Sequence, residues 1–422
     1  MKPSLGACLF VALAAALLAQ PPFDPTELLA KARDRIVARA KRLPDYVCVQ
    51  TVDREYFNRR QGQHPPHSCA LIFALNRNHP QDLPLRSTDR LRLELKVSQG
   101  MEIGTWAGAS QFSSRSVFEL IGGGAYGTGA LGTFLGDIFE TGRATYSFIG
   151  QGMAGAIKLA TYGYRVPAES SHYQVKTGSG WTPIAFQGAF WIDSDSLDLR
   201  RLTVDANEMP PKAGVCEAVT TVEYRNVRVG TGEFLLPVRS SMRMVNADAT
   251  ETQTTAVYSG CREYVGESTI HFDQAPTGGE AQAAAPPPAP LPAGVSLALA
   301  LTAPIDTDTA AAGDIVTAKV LRPAWNRSLK EILAPAGAVV QGRIVAMQHW
   351  LNWPRHFTIA IRLDKLEARG VARPLYARCP AAAGQAPLTA YFTFGTKENR
   401  YVVPAGFQMN WITVAPPADE KK

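Results

Sequence analysis

Three hydrophobic patterns follow one another at the start of this chain. Residues 9–18 are uninterruptedly apolar; Leu28, Leu29, Ala32, Ile36, Ala40 and Leu43 then recur at helical spacing; from residue 46 apolar positions recur every second residue. The middle pattern predicts a helix over 25–42. Asp24 is placed to cap it, Pro25 suits its first position, Glu27 stands where it can return a bond to the cap, and Pro44 ends it. The third pattern predicts strands. Leu91, Leu93, Leu95 and Val97 alternate with Arg92, Glu94 and Lys96, and Gln99-Gly100 turns the chain into 101–106, which reads as a hairpin with one buried face. Further strands are predicted near 144–148, 157–166, 173–176, 184–192, 197–205, 219–229, 234–245 and 252–258. Their short polar or Gly-containing connections suit an antiparallel meander and leave no room for crossover helices.

Two segments break this regularity. Residues 117–142 form a Gly-rich loop with a short helix predicted at 133–140, and residues 274–294 shift to Ala, Pro and Gly. The second segment cannot bury a core, and its prolines stiffen it toward an extended spacer. Beyond it, alternation at 297–301, 315–321, 339–347 and 357–363 again predicts strands, and a small β-barrel or β-sandwich is the natural architecture. The predicted fold class is therefore mainly β. Residues 24–273 form a helix and curved antiparallel sheet, 274–294 a linker, 295–416 a small β-domain, and 417–422 a polar tail. The linker implies that the two halves fold without packing on each other.

The apolar run at 9–18, a lone Lys2 before it and small residues ahead of Gln20-Pro21 make residues 1–20 a secretory signal peptide, too short to span a bilayer. Export to the periplasm or to the outer-membrane surface follows. It also sets the redox chemistry: after cleavage Cys48, Cys69, Cys216, Cys261 and Cys379 remain, and the simplest pairing joins neighbours, Cys48 with Cys69 and Cys216 with Cys261, leaving Cys379 free. The formal net charge of +6 concentrates in Lys31, Arg33, Arg35, Arg39, Lys41 and Arg42. This basic helix is either a peripheral contact with anionic lipid or a partner, or a solvated helix face. Nucleic acid is not an expected partner, because export separates the chain from it and no recognition motif accompanies the charge.

Searches for chemistry return little. Gly127, Gly129 and Gly132 satisfy G-x-G-x-x-G, but no Asp or Glu occurs from 141 through 168 and the surroundings are antiparallel, so a mobile flap or ligand-mouth loop is expected rather than a dinucleotide site, and no cofactor is predicted. His64, His67 and Cys69 have metal-ligand character, yet a disulfide would consume Cys69, and no metal site is predicted. Asp193 and Asp195 sit in a turn between two strands, and Cys379 has no partner base, so no catalytic residue is assigned. Aromatic residues crowd around the Gly-rich loop instead. Trp106, Phe118, Tyr126, Phe134, Tyr146, Tyr162 and Tyr164 are the candidate lining of an apolar ligand pocket, or else core.

Residues 187–202, reading QGAFWIDSDSLDLRRL, resemble the strand-turn-strand signature of LolA-like and RseB-like periplasmic proteins, and the 25–42 helix fits that family as well. The resemblance implies an open half-barrel over apolar cargo. Residues 43–54 and 261–272 are more similar to exported proteins of acidobacterial type. Beyond the linker, Gly313-Asp314-Ile315-Val316, residues 333–338 and residues 341–345 resemble the β-barrel core of the VirB/TrbI conjugation scaffold proteins, which implies an envelope module able to self-associate. The expectation is a non-enzymatic envelope protein that binds a lipid, lipoprotein or other apolar ligand and carries a scaffold-like second domain. A purely structural envelope component, with a protein partner, and an exported hydrolase without a recognisable motif are the alternatives.

Overall fold

The computed structural model describes residues 23–59, 68–78, 83–98, 101–109, 112, 116–178, 180–264, 288–326, 331–380 and 388–417. The predicted signal peptide, His64, His67, residues 274–287 of the predicted linker and the end of the predicted tail lie outside them. Strand makes up 55% and helix 12%, so the chain is mainly β, with a large antiparallel sheet that does not close into a barrel.

Pro25–Arg42 is helical, and the Asp24 carboxylate accepts from the Thr26 and Glu27 amides (2.8 and 3.3 Å). Glu27 pairs with Lys31 rather than returning to the cap (2.6 Å). The sheet of the N-terminal half runs, neighbour to neighbour, Met101–Trp106, Leu85–Ser98, Tyr46–Phe57, Glu251–Glu263, Gly232–Asn246, Val215–Val229, Leu199–Ala206, Phe186–Asp193, Ile157–Val166 and Thr145–Ala154. This order corrects the simple meander. The first strand lies in the middle, beside the last, because the chain builds one edge first, crosses to the opposite edge after Trp106, and meanders back until Glu251–Glu263 pairs with Tyr46–Phe57. The short route for that crossing is over the concave face, and residues 116–139 take it.

The same topology corrects the disulfides. All four expected cysteines are bonded and Cys379 is free, but the bonds are Cys48–Cys261 and Cys69–Cys216. The cysteines nearest in sequence are not the ones this topology brings together. Cys48 and Cys261 lie on the paired first and last strands, at a bulge between Val47 and Val49. Cys69 opens a helix, Cys69–Asn78, which the alternation at 46–57 and 85–98 does not announce, and whose Ile72 packs with Cys216, Val245 and Ala249.

The C-terminal half orders Thr389–Gly395, His356–Ala368, Val339–Trp350, Ile315–Val320, Ser296–Leu301, Gln408–Thr413 and Ala377–Arg378. Its own core centres on Leu297, Leu299, Val340, Leu366 and Trp411. The halves nevertheless pack together, contrary to what the linker implies. Residues 348–350 pair with 87–89, the Arg92 amide donates to the Ala312 carbonyl (2.7 Å), the Ala312 amide donates to the Arg90 carbonyl (2.8 Å), and the Arg343 guanidinium donates to the Ala107 carbonyl (2.6 Å). Gly313 is required at this joint. Its φ is +112°, and a Cβ there would stand 2.1 Å from the Arg92 carbonyl oxygen. Arg92 also pairs with Asp314, so the Gly313-Asp314 pair belongs to the joint between the halves.

Candidate functional site

The concave face of the N-terminal sheet is covered by its own crossover, residues 116–139, which acts as a plug. Ser116 caps the short helix Val117–Leu120, the glycines at 122, 123, 124 and 129 carry positive φ, and Thr133–Phe139 closes the segment as a second helix. Left-handed backbone at four glycines lets the chain turn tightly enough to lie flat on the sheet. Val117, Ile121, Tyr126, Leu131, Phe134 and Ile138 are buried against it, together with Ala32 and Ile36 of the long helix.

Polar bonds fix the plug at several points. Arg54, clamped by Asp89 with two 2.7 Å bonds, donates to the Gly123 carbonyl (2.9 Å). Tyr126 donates to Gln50 Oε1 (2.7 Å), and Gln50 donates to the Tyr258 hydroxyl (3.1 Å). Tyr224 donates to the Ala130 carbonyl (3.0 Å). Asp137, buried in the second helix, accepts from the His172 amide (2.8 Å) and meets His172 Nδ1 at 2.5 Å. Glu102 receives both the Gly129 and the Leu131 amides on one oxygen (3.0 and 3.1 Å). The amides of the G-x-G-x-x-G stretch that would cradle a pyrophosphate thus already hold a carboxylate. The expected mobile flap is instead a packed segment.

Glu102, Gln50, Arg54 and Asp137 are site residues that motif searches do not find. One signal existed: in Met101–Trp106 the alternation is inverted, Met101 and Ile103 facing outward while Glu102 faces the plug. A hairpin with one apolar buried face is therefore corrected at this strand. Removal of the carboxylate from water pushes Glu102 up to about 7, with the Leu131 and Gly129 amides pulling the other way. Tyr46, Tyr126, Tyr224 and Tyr258 surround it, their phenols pushed up chiefly by burial. An acid whose folded pKa is raised binds its proton more tightly in the folded state. The stability it contributes is full at low pH and falls as pH rises from the ordinary carboxylate range to about 7. Glu102→Gln should flatten this slope: between about pH 5 and pH 8 the melting temperature of the wild type should fall more than that of the variant, and parallel curves would refute the assignment.

The seven candidate aromatics divide. Tyr126 and Phe134 are plug residues, Phe134 stacking on Tyr173 (6.0 Å), and Phe118 packs on Tyr126 and Trp181. Tyr162 stacks on Phe190 (5.4 Å) and donates to the Pro25 carbonyl (2.7 Å), Tyr164 donates to the Thr203 carbonyl (2.7 Å), and Tyr146 donates to Ile138 beneath the Arg33 guanidinium. Trp106 stands apart, its ring against Gly313 at the joint between the halves. The basic helix is largely engaged as well. Arg33 donates to the Phe139 carbonyl, Arg35 and Arg39 pair with the buried Asp198 (3.4 and 2.5 Å), and Lys31 pairs with Glu27.

Between plug and sheet a cavity of about 20 Å³ remains, lined on the sheet side by Gln50, Val52, Thr220, Ser240, Thr254 and Ala256. The Thr254 hydroxyl there has no partner among the described residues. A wider polar groove of about 370 Å³ opens beside Arg165, Gln187, Gly188 and Asp205.

No family model matches the chain, and no curated protein matches it. Among solved structures, it is similar to a LolA superfamily protein from Nitrosomonas europaea (12% identity, TM-score 0.26, covering 57% of this chain and 93% of that one). It is also similar to a DUF1329 family protein from Desulfovibrio piger (11%, 0.27, 60% and 98%) and to the lipoprotein LppX from Mycobacterium tuberculosis (12%, 0.20, 57% and 98%).

Of the two turn aspartates, Asp193 has a structural duty. Asp193 is drawn upward by burial but further downward by Arg200 (2.6 Å) and by the Asp195 and Ser196 amides, which hold its carboxyl below the usual range. Cys69 is consumed by its bond to Cys216, so its thiolate is not available to a metal.

Proposed function

We propose that this protein is a non-enzymatic, exported cell-envelope protein that receives a lipid, a lipoprotein acyl chain or another apolar ligand on the concave face of its N-terminal sheet, at the place the plug occupies. The observation that carries this reading is the polar character of the sheet surface beneath the plug. Below the plug the sheet presents Thr220, Thr254, and Gln50 and Ser240 paired to tyrosine hydroxyls, with a cavity beside them and no partner for the Thr254 hydroxyl among the described residues. A permanent core is apolar and filled to crystal-like density, and its polar groups are paired. A surface that exchanges its own segment for a ligand with an apolar body and a polar group has reason to be mixed. In this reading Phe118, Tyr126 and Phe134 move with the plug, while Tyr146, Tyr162 and Tyr164 stay on the sheet as the apolar end of the site.

Residues 24–273 and 295–416 are the two proposed domains, the second serving as a scaffold-like module toward an envelope partner, in keeping with its resemblance to VirB/TrbI cores. The leader at 1–20 and two disulfides support a periplasmic or outer-membrane-associated location. The purely structural reading is favoured by the number of bonds that hold the plug down. Titrating the delipidated mature protein with fatty acids of increasing length separates the two. Saturable binding that strengthens by about 0.8 kcal/mol per methylene until the site is full supports the carrier. A folded protein that takes up none moves the assignment to the structural role.

A further inference from the structure

The hairpin Thr145–Ala154 and Ile157–Val166 forms the far edge of the N-terminal sheet. Its base is anchored by Tyr146 and Tyr162. Its outer part touches the core only through Phe148, which packs on Tyr162, and every residue from 147 to 158 is exposed except Gly150, which is partly so. Ordinarily such a projecting ribbon is polar, because neither face has a partner. Here it carries Phe148, Ile149, Met153 and Ile157, exposed by 42, 63, 64 and 37%. Phe23, at the start of the described chain and itself 42% exposed, packs on Phe148 with ring centres 5.7 Å apart.

Charge completes the picture. From residue 141 through 168 there is no Asp or Glu, while Arg143, Lys158 and Arg165 are present. Arg143 and Arg165 are neutralised by Glu140 and Glu208, so Lys158, at the tip, is the exposed cation beside the apolar residues. A β-adding peptide would need a straight edge, but the register shift between Phe148 and Gly150 bends this one. A protein groove would contact one face, whereas Phe148, which leans on Phe23 and Tyr162 and is still 42% exposed, and Ile149 follow each other at the bulge of an exposed ribbon. A medium that surrounds the ribbon suits it better.

We propose that the 147–158 tip docks on a bilayer containing anionic lipid, with Phe148, Ile149, Met153 and Ile157 in the boundary between headgroups and acyl chains and Lys158 among the headgroups. At about 3.3 Å per residue, the span from Ile149 to Met153 reaches deep enough for the roughly 5–10 Å of immersion typical of interfacial elements. The docking does not depend on the concave face holding a ligand. It concerns the opposite resource of the fold, a surface that stays outside.

The test is flotation of the full mature protein with vesicles of phosphatidylglycerol and, separately, of phosphatidylcholine. Wild type should float with the anionic vesicles, more weakly with the zwitterionic ones, and less at high salt. Ile149→Ser with Met153→Ser should lower anionic-vesicle binding by about tenfold or more, and Lys158→Glu should lower it further. Both variants should melt like wild type, since the side chains of Ile149, Met153 and Lys158 are exposed, and should bind acyl probes in free solution as wild type does, which separates this surface from the carrier reading. Wild type that remains unbound, or a double variant that floats equally well, overturns the proposal. So does wild type that self-associates through the tip, seen as a dimer in sedimentation that Ile149→Ser and Met153→Ser abolish, while failing to float.

Discussion

Replacing Cys48 and Cys261 together by alanine should lower the stability of the mature protein by about 2–4 kcal/mol, read from denaturant midpoints. The bond closes a sequence separation of 213, and the Cys69–Cys216 bond, with a separation of 147, is nested inside it. Loop-closure entropy grows only as the logarithm of length, so the two bonds would differ by only about 0.3 kcal/mol if each acted alone. Nesting changes this. With the inner bond in place, the outer bond closes only the arms 48–69 and 216–261, and each single removal costs less than the sum for the pair implies. Removing all four cysteines should therefore be more damaging than either removal in isolation, and should prevent the first strand from finding the last. Non-reducing peptide mapping checks the pairing directly. A peptide joining Cys48 to Cys69 would overturn both the bonds and the strand order that explains them.

What was legible in the sequence was local. The helix at 25–42 was announced by its cap, its proline and its spacing, and the strands from 157 onward by alternation between turns, because both signals are set by residues a few positions apart. The pairing of Tyr46–Phe57 with Glu251–Glu263 is set by residues some two hundred positions apart, and no local pattern encodes it. The disulfide partners and the crossover followed from that pairing, and so were misread with it. The Gly-rich loop was recognised as special, but glycine at 122, 123, 124 and 129 equally permits a mobile flap and a chain folded tightly onto a sheet. Only the partners waiting on the other side, the acceptors Glu102 and Gln50 and the donor Arg54, decide between them. The joint between halves was hidden for a similar reason: Gly313-Asp314 is a short ordinary turn until Arg92 and Trp106 are brought against it.

In the carrier reading, the plug sets the affinity of the concave face. If a ligand must displace residues 116–139, its apparent affinity is reduced by the small fraction of molecules in which the plug is open, and loosening the plug returns that fraction. Glu102→Ala removes the acceptor of the Gly129 and Leu131 amides, at about 1–3 kcal/mol for each buried donor left unpaired. Gly124→Ala acts from the other end. Its φ is +87°, and the new Cβ would lie 2.5 Å from the Tyr56 hydroxyl and 2.6 Å from Arg54 Nη1, in a guanidinium that Asp89 holds by its other two nitrogens. Each variant should lose stability while the sheet and both disulfides persist, and each should bind a fatty-acyl fluorophore at least about tenfold more tightly than wild type, since 1.4 kcal/mol of plug destabilisation is a factor of ten in the open population. The direction is what discriminates. A segment that is simply core would, when loosened, cost stability and leave acyl binding absent or unchanged, whereas a segment that competes with a ligand trades one for the other. Stability lost without affinity gained, in variants whose far-ultraviolet circular dichroism remains that of the wild type, would remove the concave face as the binding site.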